Sequence, residues 1–327
     1  MSKTAIITGI TGQDGAYLSK FLLEKGYKVV GLLRSKMYSN LERVEYLGIA
    51  DKIKFEECDL LDVAHLIRIL QSYHPNEIYN LAAQSSIALS FNQPSTTLHF
   101  NTISVLNFLE AIKIIDNRIR FFQACSSAIY GSPPKLPVTI STELHPKDIY
   151  AISKTSAYWI TINYRKLHGL FACNGILFNH ESYLRSSGFI IKKVISEAMK
   201  IKHKKNKKKK IFMGDLEIHR DLGYAPKYVE AMWLMLQNSA PKDYLICSGK
   251  TVYLKEVVKH ILEKTGLPLS CLGSDPTLYR PSDIKKMYGS NKEIKKDLGW
   301  KYDLSFYDVV DMMIQEEEKN INSAYKF

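Results

Sequence analysis

The sequence predicts an α/β protein, a doubly wound parallel sheet with a smaller C-terminal substrate-binding lobe. Three observations lead there. Apolar runs alternate with segments of helical periodicity over the first 125 residues, and the first run ends in a glycine-rich turn that opens a helix. After about residue 180 the alternation becomes irregular, as a capping lobe would be.

The first strand, TAIITG, leads into a helix from Gly12 to Glu24. KVVGLLR leads into Asn40 to Leu47, IKFEECDL into Val63 to Ser72, and EIYNLAA into Ser95 to Ile115, before IRFFQACS. Helices of this length between strands imply right-handed crossovers and a parallel sheet. A helix after Asp148 and the strand FACNGILFN extend the series. Beyond them come a helix at Ser187 to Lys200, a basic turn, a strand at Ile211 to Met213 and a helix at Pro226 to Gln237. The short strand YLICS and a helix at Leu254 to Thr265 complete the reading. The expected division is a doubly wound domain over residues 1–180, with later segments returning to it, and a smaller substrate-capping lobe over 181–327. No internal repeat interrupts it.

Composition narrows the function classes. A chain of 327 residues with 46% apolar content can bury a large core. MSKTAIITG enters strand-like sequence without a leader pattern, and no uninterrupted apolar run of 18 residues occurs, so neither secretion nor a membrane is expected. Cys58, Cys125, Cys173, Cys247 and Cys271 are odd in number and lack a CxxC pair, which suits thiols in the cytoplasm. The nine histidines show no metal-ligand spacing, and no metal is assigned. The net charge of +12 is concentrated in Lys200–Lys210, KIKHKKNKKKK, whose eight lysines leave +4 for the rest. Without interleaved aromatics or arginines this tract reads as a solvated loop and not as a nucleic-acid site, with polyanion binding through Lys200–Lys210 as the alternative from a different class.

The chemistry is carried by a few motifs. TGITGQDG sets Gly9, Gly12 and Gly15 around Gln13 and Asp14 at the first strand-to-helix junction. Glycines there let the backbone approach a pyrophosphate held on the helix N-terminus, the Rossmann-type arrangement; the bland reading is a tight turn. Strand two ends in Arg34, which would admit the 2′-phosphate of NADP or lie over an adenine, so NAD is expected with NADP open. Asp59 and Leu60 would border the adenine, although CDL followed by Asp62 is also an ordinary helix cap. Tyr150 and Lys154 stand one helical turn apart, so an ammonium would lower the phenol's pKa and make Tyr150 a base. Ser126, at the tip of the preceding strand, would share the substrate hydroxyl.

Together these pieces resemble the extended short-chain dehydrogenase/reductase family and, within it, the GDP-mannose 4,6-dehydratases. The segments that carry the resemblance are AIITGITGQDGAYLSKFLLEKGY, EIYNLAAQSS, AYWITINYRKLHGLFACNGILFNHES, HRDLGYAPKYVEAMWLMLQ and YRPSDI. The resemblance implies Ser126, Tyr150 and Lys154 as catalytic residues. It adds Leu81 and Ala83 on the cofactor side, and Ser85, Ser127, Asn179, Lys193 and Arg185 on the substrate side. Arg220 and Arg280 would clamp the diphosphate.

One departure matters most. The family carries Glu where this chain has Ala128, and that Glu is the group that moves protons during elimination of water. General acid–base assistance is worth roughly 10²–10⁴ in rate, so its loss implies C4 oxidation without dehydration. The activity most resembled is the 4-dehydrogenation of GDP-D-glycero-α-D-manno-heptose in capsular polysaccharide synthesis. Dehydratase activity is the alternative if Glu181 supplies the missing group, and 4-ketoreduction is the same chemistry in reverse. The resemblance further implies tightly bound cofactor, reoxidation by a 2-oxo acid such as 2-oxoglutarate, and a homodimer or homotetramer paired through Ser95–Ile115 and Tyr150–Leu167.

Overall fold

The computed structural model describes residues 2–204, 209–278, 284–321, 325 and 327. Its first half runs β1 (Thr4–Thr8), α1 (Gln13–Glu24), β2 (Lys28–Leu33), α2 (Glu42–Tyr46), β3 (Ile53–Glu57), α3 (Val63–Tyr73), β4 (Glu77–Asn80), α4 (Ile87–Asn92), α5 (Pro94–Ile115), β5 (Arg120–Ser126), α6 (Ile149–His168) and β6 (Ala172–Leu177). The second half runs β7 (Asn179–Glu181), α7 (Ile190–Lys204), β8 (Ile211–Met213), β9 (His219–Arg220), β10 (Leu222–Tyr224), α8 (Ala225–Gln237), β11 (Tyr244–Ile246), β12 (Val252–Tyr253), α9 (Leu254–Thr265), β13 (Leu272–Ser274), β14 (Lys286–Met287), α10 (Lys292–Leu298) and α11 (Phe306–Lys319).

Seven strands form one parallel sheet in the order β11-β6-β5-β4-β1-β2-β3, so the chain reverses direction across the sheet between β1 and β4. This is the doubly wound α/β fold that the alternating pattern predicts. The central strands are buried on both faces because helices cover both: every residue of β4 is buried, with Glu77 bonded to Lys3 and Asn80 to Gln123. On one face α3, α5 and α6 pack Leu66, Phe108, Ile112 and Ala157 against Ile78 and Phe121. On the other, α1 and α8 bring Leu18, Leu22, Val229 and Met232 against Ile7 and Phe122. The helix α5 is long and apolar enough to cross a membrane by length and composition alone; here it lies between α3 and α6 with Val105, Phe108 and Leu109 buried.

The second half sends α8 and β11 back to this sheet and builds a separate core from α7, α9 and α11, where Ile191, Ile195, Val258, Ile261, Val310 and Met313 meet. Two small sheets, β7 with β10 and β12-β9-β14, stand where the halves join. Several boundaries differ from the sequence reading: α2 is Glu42–Tyr46 and not Asn40–Leu47, and α7 begins at Ile190 and not at Ser187. Helix α7 runs to Lys204, four residues into what the sequence marks as a basic turn. Lysine is a good helix former, Ile201 continues the buried stripe, and Lys200 reaches Glu197 one turn back. Residues 205–208 of the tract lie outside the described residues.

Candidate active site

The C-terminal edge of the parallel sheet is where β1, β4 and β5 end, and the sequence motifs converge on it. Gly9 has φ +65°, and a side-chain carbon there would lie 2.9 Å from the Ala82 amide nitrogen. At Gly15 the same atom would fall 2.3 Å from the Gly9 carbonyl oxygen. Both positions therefore require glycine, the first by backbone conformation and the second by helix-to-turn contact. Gly12 donates its N–H to Gly9 O at 2.9 Å and forms the N-cap of α1 without a side-chain cap. The resulting cradle of free backbone amides at a helix N-terminus fits the pyrophosphate of a dinucleotide.

Gln13 and Asp14 turn their side chains elsewhere. Gln13 accepts from Ser182 Oγ at 2.7 Å and donates to His180 O at 3.3 Å, while Asp14 holds His180 Nε2. What these two residues offer a phosphate is their backbone. Arg34 is exposed with its guanidinium over the Phe100 ring at 5.8 Å. The carboxylate of Asp59 accepts from Leu61 N, Leu60 is buried, and Asp62 caps α3 through His65 N as the bland reading of CDL requires. Leu81 and Ala82 donate to Thr8 Oγ1, which places Leu81 and half-buried Ala83 beside the glycine turn, with exposed Ser85 just beyond.

Ser126 ends β5 in register with Leu177, and Ser127 opens a single 3-10 turn, Ser127–Tyr130. Ser126 Oγ accepts the Ala128 N–H at 3.2 Å. The turn's backbone at Ala128 thus lies against the serine hydroxyl. Tyr150 is in the first turn of α6, capped by Asp148, and Lys154 follows one turn later; both are buried.

Here the structure corrects the sequence reading. Burial pushes the Tyr150 phenol up, to about 12, against the hydrogen bond to Ser126 that lowers it. Burial also brings the Lys154 ammonium down to about 8, and its Nζ donates to Ala124 O at 2.9 Å. For both groups desolvation is the largest influence.

On the lobe side, β7 presents exposed Asn179, buried His180 and buried Glu181. Arg185 lies 3.6 Å from Glu181 and stacks over Phe189 at 3.4 Å. Both Glu181 Oε2 and Arg185 Nε are buried without a hydrogen-bond partner, and burial raises the Glu181 carboxyl despite Arg185. Arg185 also lowers the Tyr150 phenol electrostatically, against the effect of burial. Lys193 Nζ donates to Phe212 O at 2.9 Å, and Arg220 occupies the middle strand of β12-β9-β14. Arg280 lies outside the described residues.

Several contributors escape sequence reasoning. Asn101, buried on α5, accepts from Gln84 N and donates to Ser153 Oγ, which in turn donates to Tyr150 O, so α5 steadies the catalytic turn. The only sequence signal is an asparagine on a helix face that also carries Thr97 and Ser104 one turn to either side. Arg43 on α2 donates to Thr11 O and Leu184 O, joining the glycine turn to the segment that carries Arg185. The five cysteines are free and buried.

The comparisons agree with this geometry. The model of the GDP-mannose 4,6 dehydratase family matches residues 6–313. The chain is 40% identical over 326 residues to GDP-mannose 4,6 dehydratase 1 of Arabidopsis thaliana, covering 96% of this chain and 90% of that one. It is 36% identical to the GDP-mannose 4,6-dehydratase of Sinorhizobium fredii, covering 96% of each. Among solved structures, a dTDP-glucose 4,6-dehydratase from Bacillus anthracis in complex with NAD superposes with TM-score 0.86 at 20% identity over 98% of each chain. A UDP-glucose 4-epimerase from Thermotoga maritima gives 0.87 at 22% over 97% of this chain and 99% of that one, which speaks for the fold. With its glycine cradle, its serine, tyrosine and lysine on one sheet edge, and relatives matching from end to end, this chain belongs to the GDP-mannose 4,6-dehydratase family.

Proposed function

We propose that the protein oxidises C4 of a GDP-sugar, GDP-D-glycero-α-D-manno-heptose, to the 4-keto sugar and releases it without eliminating water. The observation that carries this reading is Ala128: the turn lying against Ser126 offers a methyl group where elimination needs a carboxyl. Bound in the Gly9–Gly15 cradle, with Leu81, Ala83, Asp59 and Leu60 around its adenosine half, NAD(P) would supply the hydride acceptor. Ser126 holds the C4 hydroxyl, Tyr150 takes its proton, and Lys154 stands ready to stabilise the phenolate once the ligand draws it from Ala124 O. Lys193, Asn179, Arg220 and Arg280 hold the nucleotide. A 2-oxo acid reoxidises the enzyme in place.

One observation favours a second reading. Glu181 is a buried carboxyl kept protonated more readily than usual, with one oxygen unpartnered, beside the Arg185 that also acts electrostatically on Tyr150. Were Glu181 to serve the C5–C6 bond, the enzyme would be a 4,6-dehydratase like its named relatives. Mass spectrometry of the product from GDP-mannose and from the GDP-heptose decides: loss of two hydrogens supports oxidation, and loss of water supports the dehydratase. Release of nucleotide from denatured protein identifies NAD or NADP. Exposed Leu89, Phe91, Leu98, Ile152 and Trp159 on α4, α5 and α6 support pairing of two copies along these helices, which sedimentation tests.

A further inference from the structure

Asp221 follows Arg220 directly and is 2% exposed. Its carboxylate accepts from Ser248 Oγ at 2.6 Å, Ser248 N at 2.8 Å, Gly249 N at 3.1 Å and Gly289 N at 3.3 Å. The identity of these donors is informative. Ser248 and Gly249 form the turn that leads into β12, and Gly289 comes just after β14. These are the two strands that flank β9, where Val252 and Met287 pair with Arg220 from either side. Asp221 N also donates to Met287 O at 3.0 Å.

Strands of two residues make too few ladder bonds to hold one another in register. The carboxylate does it instead, gathering the ends of both neighbours onto the central strand. A buried carboxylate is costly unless its lone pairs are filled, and here backbone amides and one hydroxyl fill them.

We propose that Asp221 is a positioning residue for recognition of the substrate's diphosphate: by fastening β12 and β14 to β9 it holds Arg220 in place. The inference rests on the reading of Arg220 as a diphosphate contact. The residue touches no reacting atom.

The test uses the full chain and calorimetric titration with GDP and with guanosine. Asp221→Asn keeps the shape but turns an NH2 toward donors; it is expected to weaken GDP about tenfold or more while leaving guanosine within about twofold. Arg220→Ala should show the same selective loss, and the double variant should bind GDP no worse than Arg220→Ala alone. Should Asp221→Asn fail to fold, Ser248→Ala removes one donor and is expected to weaken GDP by about threefold, again sparing guanosine. Equal losses for GDP and guanosine, unchanged GDP affinity, or additive losses in the double variant overturn the proposal. Wild-type protein that binds no GDP sinks the sugar-nucleotide reading itself and this inference with it.

Discussion

Both oxygens of Asp14 lie 2.9 Å from His180 Nε2, so the first turn of α1 and the strand β7 are joined by one pair of side chains 166 positions apart. The other ring nitrogen, Nδ1, faces Phe178 O at 2.7 Å. Both ring nitrogens therefore lie against oxygen atoms of the protein. Burial alone would raise the Asp14 carboxyl, but the charge and hydrogen bond of His180 hold it below the usual carboxylate range.

His180→Ala leaves that carboxylate without its partner. The expected cost is about 2 kcal/mol, less than for a fully buried pair because Asp14 is only half-buried. The sign with pH follows from the lowered carboxyl: its stabilisation is present above the unfolded-state value and is lost as pH falls through the folded one. Urea unfolding across the acid range should show the variant's acid limb displaced to higher pH.

Tyr150→Phe removes the hydroxyl proposed to take the C4 proton. Turnover is expected to fall by roughly 10²–10⁴, with GDP affinity unchanged in calorimetry. Because the phenol is pushed up to about 12, the wild-type oxidation rate should climb as pH is raised.

Ala128→Glu puts a carboxyl beside Ser126. If Ala128 is what prevents elimination, this variant releases product that has lost water, while the wild type releases product that has lost two hydrogens; mass spectrometry reads the difference. Glu181→Gln should leave the wild-type product unchanged in mass.

Asp221 titrates in the opposite sense to Asp14. Burial pushes its carboxyl up to about 6 in spite of the donors around it, against about 3.9 in an unfolded chain. Its contribution to stability is therefore complete below the unfolded value and is lost as pH rises through about 6, a change of about 2–3 kcal/mol. Unfolding free energies measured across that window should show a negative slope from this group that is absent in Asp221→Asn.

Much of the framework was legible before any coordinates. Strands β1 to β6 and helices α1, α3, α5 and α6 fall where periodicity places them, because each buries a regular apolar stripe. Strand β8 and helix α9 match their expected residues end for end. The short strands β7, β9, β10, β12 and β14 carry no such signal. At two or three residues they are too brief for alternation to register, and they exist only because the lobe folds back on the sheet edge.

By itself the sequence determined the sheet, the glycine cradle and the spacing of Ser126, Tyr150 and Lys154, since each is written in local spacing or residue type. Tertiary structure alone decided what those groups experience. Thr8 bonds Asn80, Asn80 bonds Gln123, and both Gln123 and Lys154 converge on Ala124 O, so Lys154 ends a buried polar ladder across three strands. Burial is the largest influence on the phenol of Tyr150. Hydrogen bonds and desolvation act over a few ångströms between residues far apart in the chain, and only the folded backbone brings them within that range.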